Sequence, residues 1–205
     1  MTDVGTAHKI SASTIWLAVL VSAVGLGWPE RHQPVLYADD GDWDSRHIAP
    51  FVTTPDEVVT RMLELAEIEK GDVLYDLGSG DGRIVVAAAK RYGIKAVGFE
   101  IDPVLVKDSR EIVKQAGLER LVEIREQDIR TVDFSPATVV TMYLYPGANL
   151  RLRPVLMRDL KPGSRVISHD FGMGSWKPDR VARFKDSADL SRTIYRWRIA
   201  EPPRR

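Results

Sequence analysis

The residues best equipped for chemistry lie between Asp76 and Arg83, where the apolar run Val73-Leu74-Tyr75 meets an acid and the chain opens into Gly78-Ser79-Gly80-Asp81-Gly82. Lacking a Cβ, Gly78 and Gly80 allow a sharp turn and a close approach of backbone to a ligand, and Gly82 lets a helix start tightly against the strand. The spacing is Asp-x-Gly-x-Gly-x-Gly, which differs from the G-x-G-x-x-G that sets a helix N-terminus against a pyrophosphate. An acid beside the loop suits a ligand carrying positive charge, such as an ammonium or a sulfonium, and repels a pyrophosphate. Asp76, Gly78, Ser79, Gly80 and Gly82 are therefore candidate ligand contacts.

Two further carboxylates end strand-like runs. Glu100 closes Ala96-Val97-Gly98-Phe99 and can accept both hydroxyls of a ribose. Asp128 follows the alternating segment 121–126 and can accept from an adenine amino group, with Ile101 and Ile129 offering apolar contact to the ring faces. A turn aspartate capping a loop is the alternative for Asp128. On the acceptor side, alternation over 137–144 predicts Thr141, Tyr143 and, with continued extension, Tyr145 on one side of a strand, and Met142 and Leu144 on the other. Strand ends near a reversal of strand order border the ligand in open α/β sheets, so Tyr143 and Tyr145 either flank the reacting group or pack the core. His169-Asp170 closes a fifth strand-like run, and offers a general base or a structural histidine.

The elements that must position these groups follow from periodicity. Thr54-Pro55-Asp56-Glu57 predicts a helix start with Thr54 as cap, and Val58, Met62, Leu65 and Ala66 a buried face that ends near Lys70-Gly71. Strands are predicted at 73–77, 96–100, 121–126, 137–144 and 165–169, and helices at 84–92, 103–116 and 148–160. In the second of these helices Leu105, Ile112 and Val113 should point inward. Residues 181–184 and 193–199 predict an antiparallel pair that closes the sheet. The alternation of strand and helix implies an α/β fold with a mostly parallel seven-stranded sheet flanked by helices.

Composition narrows the function. Lys+Arg and Asp+Glu balance at 29 each over 205 residues, so no global charge argues for nucleic acid as partner. The absence of cysteine excludes disulfides, thiolate metal sites and cysteine nucleophiles, and four scattered histidines predict no metal site. Thr14 to Trp28 carries no charge and predicts a hydrophobic anchor or a signal segment, so residues 1–28 form a tail with that segment. Val21-Ser22-Ala23 offers small residues where a signal would be cleaved. Residues 29–48, rich in Asp, Pro and Gly, form a linker, and the domain occupies 49–205. Asp40, Asp42 and Asp44 imitate a calcium loop, but Ser45 and Phe51 stand where its glycine and glutamate belong.

The glycine loop, Glu100 and the strand spacing together resemble class I S-adenosylmethionine-dependent methyltransferases. At Phe51-Val52-Thr53-Thr54-Pro55, Asp76 to Gly82 and Tyr143-Leu144-Tyr145-Pro146 the chain is similar to the seven-β-strand mitochondrial lysine methyltransferases that modify the ATP synthase c-subunit and the adenine nucleotide translocase. The resemblance implies a Rossmann-like fold, S-adenosylmethionine as cofactor, a lysine side chain on a protein as acceptor, and Glu100 on the ribose. It also implies that Thr53 and Thr54 lie in a loop near the methionine end of the cofactor. Because that cofactor is kept in the cytosol, a membrane tether with a cytosol-facing domain is expected, with export after signal cleavage as the alternative. A small-molecule methyltransferase and a non-catalytic cofactor-binding module remain open. An adenine-specific DNA enzyme would show an Asn/Asp-Pro-Pro-aromatic run where this chain has Tyr143-Leu144-Tyr145-Pro146.

Overall fold

Short apolar runs alternate with amphipathic stretches, and each takes the structure its period dictates. The computed structural model describes residues 52–200; the expected tail and hydrophobic segment at 1–28 and the linker at 29–48 lie outside them. In chain order the elements are α1 (Asp56–Leu65), β1 (Val73–Leu77), α2 (Arg83–Tyr92), β2 (Lys95–Glu100), α3 (Pro103–Gln115), β3 (Val122–Glu126), β4 (Val139–Met142), α4 (Pro146–Asp159), β5 (Arg165–His169), β6 (Arg180–Lys185) and β7 (Ser191–Arg198). A 3-10 turn, Ile129–Thr131, follows β3. No helix among the described residues is long and apolar enough to cross a membrane.

The strands form one seven-stranded sheet in the order β3-β2-β1-β4-β5-β7-β6. Pairing is parallel from β3 through β5, and β7 runs antiparallel to both β5 and β6. The chain winds outward from β1 to β3, returns to the centre, and winds outward again from β4. Strand order thus reverses between β1 and β4, which opens a ligand crevice beyond their carboxyl ends. This is the mostly parallel Rossmann-like sheet that the sequence implies.

Both faces of the sheet are covered. One face packs Leu74, Ala96, Val139 and Ile167 against Val58, Met62, Val85, Ala88, Val106 and Val113 from the first three helices. The other packs Phe99, Val140, Met142 and Trp197 against Phe134 and the Leu152 and Leu156 face of α4. Asp102 caps α3 through its side chain, which accepts the amides of Val104 and Leu105 at 2.8 and 3.4 Å, with Pro103 in the first turn.

Several local expectations are corrected. Thr54 does not cap α1: the cap position is Pro55, with no side-chain cap bond, and Thr54 turns its hydroxyl towards His169. The helix ends at Leu65, well before Lys70, because Arg165 takes the Ala66 and Glu67 carbonyls at 3.0 and 3.3 Å and Asp72 takes the Glu69 amide at 2.7 Å. These long-range partners satisfy the helix end, so the backbone need not continue the spiral. Ile112 is 40% exposed and not inward; the buried face of α3 is Leu105, Val106, Ser109 and Val113. β4 stops at Met142, so Tyr143 and Tyr145 leave the strand and are not placed by its alternation.

Candidate active site

The carboxyl end of β1 delivers Asp76 and then the loop. Gly78 and Ser79 both donate their amides to the carbonyl of Phe99 at 2.9 Å, which folds the loop back over β2. Gly80 sits at φ 54°, a left-handed conformation that L side chains rarely adopt, and this turns its amide onto Oε2 of Glu100 at 2.8 Å. The other Glu100 oxygen accepts the amides of Ile101 and Asp102 at 2.8 and 3.0 Å. Glu100 is thereby held at the lip of the crevice, with three amides on its carboxylate and an acceptor direction left on Oε2 for a ribose hydroxyl.

Asp76 lies beneath the loop, 2% exposed, and accepts the Thr141 hydroxyl at 2.7 Å. Burial pushes its pKa up to about 7, against that hydrogen bond and with the negative charges of Asp81 and Glu100 adding to the rise. A buried carboxyl flanked by two more acids makes a site that favours a cation. The hydroxyl of Ser79, buried in the same loop, has no hydrogen-bond partner among the described residues. These observations fit S-adenosylmethionine, whose ammonium and sulfonium answer the acids and whose ribose answers Glu100. Asp128 caps the turn after β3, where Oδ1 accepts the Arg130 amide at 2.9 Å and Oδ2 pairs with the Arg130 guanidinium, which lowers the carboxyl pKa; it stands where the expected adenine contact would come. Ile129 is buried beside it and Ile101 is half-buried at the end of β2.

Thr54, and with it the neighbouring Thr53, is tied to this loop through its carbonyl by Arg83, a residue that local sequence patterns do not single out. Arg83 grips Asp81 through Nε at 3.0 Å and the Thr54 carbonyl through Nη1 at 2.9 Å, so the threonine segment is strapped to the glycine loop. Gly98, by pattern no more than a strand residue, also shapes the site. A Cβ there would meet Ser79 Oγ at 2.6 Å and Ser79 Cβ at 2.8 Å, so the loop can lie on β2 only over a glycine.

Tyr143 and Tyr145 come together around a third aromatic that the sequence does not single out. The ring of Phe171 lies 6.1 Å from that of Tyr143, nearly parallel to it, and 6.4 Å from that of Tyr145, edge on. The turn carrying Phe171 is pinned by Asn149, fully buried on α4, whose Nδ2 donates to Ser168 Oγ and to the Phe171 carbonyl, both at 3.1 Å. Burial raises the Tyr143 pKa, with Asp170 adding to the rise and Arg192 opposing it. The hydroxyl therefore stays protonated across the working range of an enzyme. The aromatic wall stands at the end of β4, next to β1 and its glycine loop.

Comparison with known proteins agrees with this geometry. The model of the ANTKMT methyltransferase domain matches residues 76–180. A protein-lysine N-methyltransferase of Saccharolobus islandicus is 41% identical over 153 residues, covering 74% of this chain and 94% of that protein. The human lysine N-methyltransferase of the ATP synthase c-subunit is 36% identical over 132 residues, and the match spans 64% of this chain and 56% of the human one. Among solved structures, an RNA methyltransferase from Salinibacter ruber, in complex with S-adenosyl-L-homocysteine, is 54% identical with a TM-score of 0.70, covering 74% of this chain and 95% of that one.

Proposed function

The chain belongs to the ANTKMT methyltransferase domain family and is an S-adenosylmethionine-dependent methyltransferase; from that premise we propose that its acceptor is the side-chain amine of a lysine on a protein. The observation that carries the reading is the wall of Tyr143, Tyr145 and Phe171 beside the glycine loop. A lysine must lose its proton before it can attack, and at neutral pH that costs roughly 4–5 kcal/mol for a pKa near 10.4. Aromatic surface desolvates the ammonium and so reduces that cost, while the ring faces still attract the cation as it arrives.

When bound, S-adenosylmethionine supplies an electrophilic methyl group on sulfur. Asp76 and the Ser79 hydroxyl would hold the amino-acid end, Glu100 the ribose, and Ile101 and Ile129 the adenine faces, with Thr53 and Thr54 strapped close by. The protein's remaining task is alignment, since an in-line displacement needs no covalent enzyme intermediate. Tyr143 and Tyr145 would border the amine and keep water from its path.

The described relatives divide over the acceptor: the Saccharolobus islandicus and human proteins are lysine methyltransferases, and the Salinibacter ruber protein is described as an RNA methyltransferase. Lysine is favoured here because acids and bases balance at 29 each, without the basic excess that phosphate backbones attract. The uncharged run from Thr14 to Trp28 supports a further part of the proposal, that the domain is tethered to a membrane and meets its acceptor there. Incubation with labelled S-adenosylmethionine and a lysate divided into protein, nucleic acid and small molecules tests the acceptor. Label is expected on protein lysines; label confined to RNA or to small molecules would overturn the lysine reading.

A further inference from the structure

His169 is fully buried at the carboxyl end of β5, between the two halves of the site. Its Nδ1 lies 3.5 Å from the hydroxyl of Thr54, at the long end of hydrogen bonding and 115 residues away in sequence. Its ring lies against that of Tyr143, with centroids 4.0 Å apart and planes 34° from parallel. Thr54 is the residue strapped by Arg83 to the glycine loop, and Tyr143 is part of the aromatic wall. One imidazole therefore touches both the cofactor segment and the acceptor wall.

We propose that His169 is a positioning residue that couples cofactor binding to the acceptor wall, holding the Thr54 segment through Nδ1 and the Tyr143 ring through its face. The part concerning the wall rests on the lysine reading above. A general base at this position is disfavoured on three counts. The imidazole has no solvent-exposed surface through which to pass a proton on. Its Nε2 stands 3.2 Å from Asp170 Oδ2 without making a hydrogen bond. Burial also lowers its pKa to about 4, against the charge of Asp170 and with that of Arg192 adding to the fall, so it is neutral and a weak base at neutral pH. The groups facing it are Thr54 before α1, Tyr143 after β4, Asp170 after β5, and Arg192 on β7, which reaches Asp170 at 3.6 Å and Asp186 at 2.7 Å.

Two substitutions in the full-length chain separate the two contacts. His169→Phe keeps a flat ring against Tyr143 and loses Nδ1; His169→Asn keeps a polar atom near the Nδ1 position and loses the ring. With S-adenosylhomocysteine as the calorimetric probe, the Phe variant should weaken binding about three- to tenfold, the range of one neutral hydrogen bond, with a smaller fall in kcat. The Asn variant should show the reverse: binding within about twofold of the wild type, and kcat on the protein acceptor down about tenfold or more.

Thr54→Val should reproduce the binding loss of the Phe variant, and the Thr54→Val/His169→Phe double variant should be no weaker than either single one. This cycle stands in for the Asn variant should that one fail to fold. Parallel loss of affinity and kcat in both His169 variants, or additive losses in the cycle, would overturn the coupling. A rate that is flat with pH in the wild type but climbs with pH in both variants would instead make His169 the proton acceptor and equally end the proposal. The calorimetry needs no acceptor, so its outcome stands apart from a failure of the lysine reading.

Discussion

The carboxylate of Glu100 and the amide of Gly80 meet at 2.8 Å across 20 residues, joining the end of β2 to the turn that follows β1. The acid placed to receive a ribose is thus the same acid that holds the glycine loop in its left-handed turn. Glu100→Ala should therefore do two things at once. It would remove the charge-assisted bonding proposed between Glu100 and the ribose, about 1.5–3 kcal/mol per bond, and leave the Gly80 amide without its acceptor. Calorimetry with S-adenosylhomocysteine should show at least a tenfold loss of affinity, and thermal denaturation a lower Tm. Unchanged affinity in a folded variant would remove Glu100 from the ribose.

Asp76 should show opposite effects on stability and on binding. Its folded pKa of about 7 lies above the unfolded value of 3.8, so the folded state holds the proton more tightly. The stability this confers is fully present below the unfolded pKa and is lost as pH rises through 7, by up to about 4 kcal/mol. In the cofactor-free protein, Asp76→Asn should be more stable than the wild type at pH 8, with the difference shrinking towards pH 4. The same substitution should weaken cofactor binding at pH 8, because the bound cation needs the carboxylate. Urea titrations at several pH values measure the first effect and calorimetry the second; a variant less stable than the wild type at pH 8 would refute the assignment.

Gly98 and Ser79 form a steric pair. A methyl group at 98 would stand 2.6 Å from Ser79 Oγ and 2.8 Å from its Cβ, so Gly98→Ala should cost about 1–3 kcal/mol and displace the loop. Pairing it with Ser79→Gly removes both close atoms and leaves Ile124 Cδ1 at 3.0 Å, the end of a flexible side chain. A double-mutant cycle in denaturant should return a favourable coupling of about 1 kcal/mol or more. Strict additivity would mean that the loop does not rest on β2.

Tyr143 and Tyr145 should matter to turnover more than to cofactor affinity. Tyr143→Ala or Tyr145→Ala should lower kcat at least tenfold while S-adenosylhomocysteine binds within a few-fold of the wild type. The wild-type rate should rise with pH as the acceptor lysine loses its proton. Equal losses in kcat and in cofactor affinity would place the rings on the adenosine side.

The proposed tether has a direct assay. The full-length chain should sediment with membranes and resist carbonate extraction, whereas a chain starting at Ala49 should stay in solution and still bind S-adenosylhomocysteine. A mature N-terminus near Val24 or Asp39 would show that the segment is cleaved.

What the sequence determined by itself was whatever is encoded within one loop or one strand. Asp76, the alternating glycines and Glu100 are legible because a ligand loop and an acid at a strand end are local patterns, and the alternation of strand and helix is enough to fix a mostly parallel sheet. What only the tertiary structure decided are contacts between distant segments: Thr54 with His169, Arg83 with the Thr54 carbonyl, Asn149 with the Phe171 turn, and Arg165 with the end of α1. Two of these overrode local preference. Thr54 has the chemistry of a helix cap, yet its hydroxyl faces a buried imidazole across the crevice, and α1 stops early because an arginine 99 residues away takes its carbonyl. Phe171 joined the tyrosines for the same reason. Its place depends on the parallel pairing of β4 with β5, and a pairing between strands separated by a whole helix leaves no mark on the residues beside it.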